Sequence, residues 1–332
     1  MSLDSPLRQV GTRINPAGIL ITKVIMLTDG GIKMKIIGLW ILVLMALAAQ
    51  LVQAGTAEPT PFTRQGILSY HFHSELLERG FVIDVLLPLT YNPEANTRYP
   101  VIYMTDGFMH FPMTAPNLIQ EQIPDARGKA KIPPVILVGI SHPIDSSSLR
   151  MRLTDFTPVP GEIQGALLGG GADRFLEFIQ KELKPFINNA FMGDENDETV
   201  AGHALGGLFA LHTLFNHTDS FDRYVIGSPS IWWAGKQILE SEVAYAERHS
   251  DLPKSVYLFI GGEETCVDDM SVCGVRDFGD MLQRLESRNY NSLSLHKRIF
   301  DRENHGTVVN PGYDKGLEQV FKSPLRPRKY SF

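Results

Sequence analysis

Apolar positions fall in two rhythms along this chain. Ile67–Leu77 and Phe81–Leu87 read as two opening strands, joined at Glu78-Arg79-Gly80 as an antiparallel hairpin. Val101–Met104 (VIYM) and Val135–Ile140 (VILVGI) are unbroken apolar runs after prolines, which suits strands buried on both faces. Asp173–Asn189 sets Phe175, Leu176, Ile179, Leu183, Phe186 and Ile187 at helical spacing, with Pro185 as a kink or boundary. Downstream, strands at Thr199–Gly202, Tyr224–Ile226, Val256–Ile260 and Leu293–Phe300 alternate with helices. The helices fall at Gly207–Asn216, Lys236–His249, Arg276–Arg288 and Asp314–Phe321. This alternation predicts the α/β class: a central, mostly parallel sheet with helices on both faces. Ser141–Gly171 has little periodicity and reads as the rim of an active site.

One junction between the rhythms carries chemistry. Gly202-His203-Ala204-Leu205-Gly206-Gly207 follows an apolar strand and opens an apolar helix. It is the Gly-x-Ser-x-Gly nucleophile elbow with one letter changed. The tight turn leaves no room for side chains at Gly202 and Gly206. The amide of the residue after the apex, here Leu205, points into the oxyanion hole. In this fold an acid follows a later strand and a histidine follows the last one. Glu263 and Glu264 follow Val256–Ile260, and His305 follows Leu293–Phe300. The order nucleophile, acid, histidine is therefore kept, with Ala204 in the first place.

GHALGGLFALHTLF, YVIGSPSIWW and ENHGTVV, with YPVIYMTDGF and RLTDFTP upstream, resemble the putative-esterase family of α/β hydrolases, which includes siderophore trilactone esterases. The resemblance spans roughly residues 62–322. It implies an α/β-hydrolase fold and hydrolysis of carboxylic esters by a serine nucleophile. It puts the family's serine at Ala204, its histidine at His305, and its oxyanion loop at Asp106-Gly107-Phe108. Several members work with a serine–histidine pair, so the acid is less fixed. Glu264 is the first choice, Glu263 the alternate, and Asp268 a third. Alanine offers no attacking oxygen, so serine-dependent turnover is expected to be lost or very low, while electrostatic stabilisation survives. The alternative is a non-catalytic exported protein that uses the same pocket to bind a ligand.

The start of the chain changes the picture of location. Met34-Lys35 precedes an apolar run, Ile36–Val52, and Val52-Gln53-Ala54 supplies a small-residue exit. That is the shape of a secretory signal peptide over 34–54, with a membrane anchor as the competing reading. Residues 1–33 then lie upstream of the expected start, and 55–332 forms one α/β-hydrolase domain, secreted or periplasmic. No stable membrane insertion is expected after cleavage. The 332 residues are 43% hydrophobic and 20% charged, ordinary for a globular protein. The net charge of −6 becomes −9 without residues 1–54, so a nucleic-acid partner is not expected. Two cysteines, Cys266 and Cys273, read as a short-loop disulfide in an oxidising compartment.

Four residues are candidates for holding substrate. Trp232 and Trp233 form an aromatic wall on one reading and core packing on the other. Arg150 and Arg152 bind an anionic substrate or make surface ion pairs. His71, His73 and His142 lack metal-ligand spacing, and neither metal nor cofactor is called for. His110, just past the oxyanion loop, reads as a packed histidine.

Overall fold

The computed structural model describes residues 66–145, 148–267 and 272–323. Segments 1–33 and 34–54, read above as upstream chain and signal peptide, lie outside these residues, as does Asp268. Among the described residues no helix is long and apolar enough to cross a membrane.

Strands β1 (Ile67–Ser74) and β2 (Arg79–Leu86) form the opening hairpin, with Glu78 at φ 51° in its turn. β2 lies antiparallel to β4 (Ile136–Ser141). From there the sheet is parallel through β3 (Tyr99–Thr105), β7 (Gly193–His203), β8 (Arg223–Gly227), β9 (Ser255–Gly261) and β12 (Ser294–Phe300). The eight strands stand in the order β1-β2-β4-β3-β7-β8-β9-β12. This mostly parallel sheet, flanked by helices, is the α/β-hydrolase arrangement.

Successive residues of the central strands enter opposite cores, as the strand's two-residue period requires. Val101, Tyr103, Val200, Ile226 and Leu258 face one apolar cluster. Ile102, Met104, Ala201, Val225 and Phe259 face the other. Both faces are covered, which explains the unbroken apolar runs. Helices α1 (Gly107–Glu121) and α8 (Val309–Lys322) contribute to the second cluster. The first is built on α3 (Ala172–Phe178), α4 (Lys184–Phe191), α5 (Leu205–Asn216), α6 (Trp233–Arg248) and α7 (Gly274–Ser287).

Three features depart from the sequence reading. The helix expected over Asp173–Asn189 is α3 and α4 joined by a π-helical turn at Ile179–Leu183, with Pro185 in the first turn of α4. The π-turn absorbs the register change where proline cannot donate a backbone bond. The segment 141–171 is not shapeless: it holds α2 (Ser148–Phe156) and a hairpin of β5 (Pro160–Ile163) and β6 (Ala166–Gly169). The last small hairpin, β10 (Cys266–Val267) with β11 (Val272–Cys273), lies between β9 and α7.

Candidate active site

The carboxyl ends of the parallel strands converge on one rim, the usual place for ligands in such sheets. β7 ends at His203, and α5 begins at Leu205. The single residue between them, Ala204, has φ 56° and ψ −117°. Few non-glycine residues take such a backbone, and it persists only where the surroundings impose it. Here they do. Ala204 N–H donates to the Gly227 carbonyl at 3.0 Å, and its own carbonyl accepts from Ser230 and Leu208, both at 3.0 Å. A Cβ on Gly202 would collide with the Gly206 carbonyl, and one on Gly206 with the Thr105 hydroxyl. Leu205 is the first helical residue, so no carbonyl of α5 reaches its amide.

The loop after β3 faces this apex. Asp106 is left-handed at φ 53°, and α1 starts at Gly107, where a Cβ would lie 2.7 Å from the Gly139 backbone. Only glycine lets the start of α1 come this close to β4. Phe108 follows, 58% exposed. Gly107 and Phe108 are the first residues of α1, so no carbonyl of that helix reaches their amides. Arg152 from α2 grips the Asp106 carboxylate with two nitrogens, Nη2 to Oδ2 at 2.8 Å, and its guanidinium lies 5.7 Å from the Phe156 ring centre.

Glu264 and His305 meet on the far side. His305 Nδ1 lies 2.6 Å from Glu264 Oε2. The other carboxylate oxygen accepts from Ser228 Oγ at 2.6 Å and from Gly261 N–H at 2.9 Å. Burial pulls the Glu264 carboxyl upward, but the hydrogen bonds from His305, Ser228 and Gly261 outweigh it and hold it below the usual glutamate range. Glu263 is exposed, and its backbone N–H is tied to the Glu303 carbonyl, so the carboxylate on His305 is that of Glu264. His305 also packs on His203, with ring centres 4.5 Å apart. His203 is buried, and its Nε2 has no hydrogen-bond partner among the described residues. Burial, then the nearby His305, His110 and Arg152, push its pKa well below the ordinary histidine value. In the sequence His203 is only the letter between Gly202 and Ala204 in the elbow motif. Its packing against His305 depends on β12, which is remote in sequence.

The substrate-binding candidates separate. Trp233 is corrected from wall to core: it is 2% exposed, its indole N–H donates to the Val159 carbonyl at 2.8 Å, and the β5–β6 hairpin packs on it at Gly161. Trp232 is half-buried and tilted against it, with ring centres 5.8 Å apart. Arg152 makes the ion pair of the second reading, with two of its nitrogens on Asp106. Arg150 is exposed at the surface of α2. Cys266 and Cys273 are bonded, with S–S 2.05 Å. Next to them, the Val275 N–H donates to the Glu264 carbonyl at 2.9 Å. His110 is buried, with Nδ1 3.3 Å from both the Thr105 carbonyl and the Tyr313 hydroxyl.

Residues 74–305 match the family described as Putative esterase. The chain is 36% identical over 171 residues to the ferri-bacillibactin esterase BesA of Bacillus subtilis, covering 49% of this chain and 57% of that protein. It is 31% identical over 192 residues to a siderophore triacetylfusarinine C esterase of Aspergillus fumigatus, covering 57% of this chain and 64% of that protein. These two matches thus span less than two thirds of either relative. Among solved structures, the BES protein from Bacillus cereus aligns with a TM-score of 0.69 at 32% identity, covering 80% of this chain and 98% of that one.

Proposed function

The chain belongs to the Putative esterase family, and from that premise we propose that it is a siderophore-type carboxylic ester hydrolase disarmed at Ala204. The observation that carries this reading is the apex itself. A strained backbone, two obligate glycines and an adjacent histidine–glutamate pair surround a side chain that is only a methyl group.

With serine at this position, the geometry supports a familiar division of work. His305 Nε2 would take the hydroxyl proton as Oγ attacks the ester carbon. Glu264 would hold Nδ1 and stabilise the charged ring. The amides of Leu205, Gly107 and Phe108 would receive the developing oxyanion. With Ala204 no bond from this side chain to the acyl carbon can form. What survives is binding, oxyanion stabilisation, and a water that His305 could activate slowly.

The deciding experiment compares native chain and Ala204→Ser on an aryl-ester panel and a catecholate trilactone. The serine variant should gain roughly 10³-fold or more in turnover. Adding His305→Ala or Glu264→Gln to the serine variant should remove most of that gain. A native chain that already turns over, with no gain from serine, would show that the nucleophile lies elsewhere.

The second reading is an exported, non-catalytic ligand-binding protein using the same pocket. The cysteine pair favours the exported part, since such bonds persist in oxidising compartments. The intact pair of Glu264 and His305 fits either reading. If native and serine chains are both inert on every ester yet bind the trilactone, this second reading stands. If neither turns over nor binds, the role is an interaction without a small ligand.

A further inference from the structure

Away from the catalytic rim, three side chains converge between α3 and α5. Asp173 lies in the first turn of α3, His212 near the end of α5, and His217 just past it. Asp173 Oδ1 is 2.7 Å from His212 Nε2 and 2.8 Å from His217 Nε2. All three potential ligand atoms lie within 4.8 Å of one another. We propose that Asp173, His212 and His217 bind one zinc-like divalent ion, which pins the elbow helix to the helix beside it.

The donor set suits such an ion. Two imidazoles and a carboxylate make a borderline-soft nitrogen–oxygen site, suited to zinc rather than to magnesium or calcium. A tetrahedral zinc with bonds near 2.0–2.2 Å sets its ligand atoms about 3.3 Å apart. Closing on an ion therefore asks the carboxylate to retreat by about half an ångström and the two rings to close around it. Two of the three side chains have room for this: Asp173 is 67% exposed and His217 38%. His212, at 7%, is the fixed member.

The surroundings also provide what ligating histidines use. Asn216 lies 3.0 Å from His212 Nδ1. The same Asn216 nitrogen donates to the His212 carbonyl at 3.2 Å; turning the amide over gives up that bond and lets its oxygen accept from Nδ1–H while Nε2 carries the ion. His217 lines a groove of about 560 Å³ with Asn216, Tyr245, Arg248 and Lys254, so an ion has a solvent route to it. With three protein ligands, the fourth position is left to water. The sequence hid this site because its ligands come from two helices, and neither supplies a metal motif alone.

The test uses the full chain stripped with a chelator, beside Asp173→Ala and His217→Ala. Zinc content after dialysis should be one per chain for the native protein. Each variant should bind more than about tenfold more weakly, since even removal of a residue that only orients a ligand costs that much. Cobalt should give tetrahedral visible absorption in the native chain only. Zinc should raise the melting temperature of the native chain in a concentration-dependent way and leave the variants unmoved. The metal-free His217→Ala variant should melt near the native apoprotein, because that side chain is partly solvent-facing; Asp173→Ala also removes the partner of buried His212 and should melt lower. Zinc uptake that is absent from the native chain, or equal in all three proteins, would overturn the assignment.

Discussion

At the scale of single residues, Ala204 holds a strained backbone at the place where the proposed function puts the nucleophile. A residue with a Cβ at φ 56° and ψ −117° costs about 1–3 kcal/mol. Glycine would relieve that cost but give back about 0.5–1 kcal/mol in unfolded-chain entropy. Ala204→Gly should therefore stabilise the fold by about 1 kcal/mol, read from the midpoint of urea unfolding at unchanged slope. A destabilised glycine variant would mean that the backbone is at ease there. His203 gives a second residue-level outcome. Its folded pKa lies well below the ordinary value of about 6.5, so the unfolded chain binds its proton first as the medium acidifies. The contribution is complete above about pH 6.5 and is lost as pH falls from there toward the folded value. His203→Phe should flatten that part of the stability–pH curve, and an unchanged curve would rule His203 out as its source. The glycines and the alanine are legible because a turn this tight writes itself into local sequence, and His305 because it follows the last strand. The His203–His305 contact is not, because it is made by strands far apart in the chain.

At the scale of elements, legibility followed periodicity. The central strands carry their own signal because both faces are buried. α1 stayed hidden because Pro112 and Pro116 lie inside it. The two prolines sit one turn apart on the exposed to half-exposed side of the helix, so the carbonyls they leave unpaired can reach water. The β5–β6 hairpin was missed for a different reason: four-residue strands give too short a pattern to read. The choice of Glu264 over Glu263 also needed structure, since adjacent residues point apart and only the path of the loop decides which meets His305. That loop is closed by the Cys266–Cys273 bond, seven residues apart in sequence. In the chain-entropy account, closing so short a loop is worth about 2.5 kcal/mol. Replacing both cysteines with serine should lower the unfolding free energy by up to that amount. In the Ala204→Ser background it should also lower kcat more than it raises KM, because the loop positions the acid rather than the substrate. A pure KM effect would place the loop at the binding surface.

At the scale of the whole molecule, the proposed function turns on whether the pocket holds a siderophore-type ester. The sheet positions the apex from β7, the loop 106–108 from β3, Ser228 from β8, Glu264 from β9 and His305 from β12. On the proposed function, a methyl group at Ala204 in place of a hydroxyl leaves all five strand ends in place. Stability is linked to occupancy: a ligand that binds only the folded chain adds RT ln(1 + [L]/Kd), about 2.7 kcal/mol at a hundredfold excess over Kd. A catecholate trilactone should therefore raise the melting temperature of the native chain and keep it raised, because the ligand stays intact. In Ala204→Ser the same addition should give a shift that decays with incubation as the ester is opened, and product should appear in step. A persistent shift in both proteins would mark a binder whose pocket no longer presents the ester to His305. A lack of shift in both would separate the pocket from siderophores altogether, and with it the substrate proposed here, while leaving the hydrolase fold untouched.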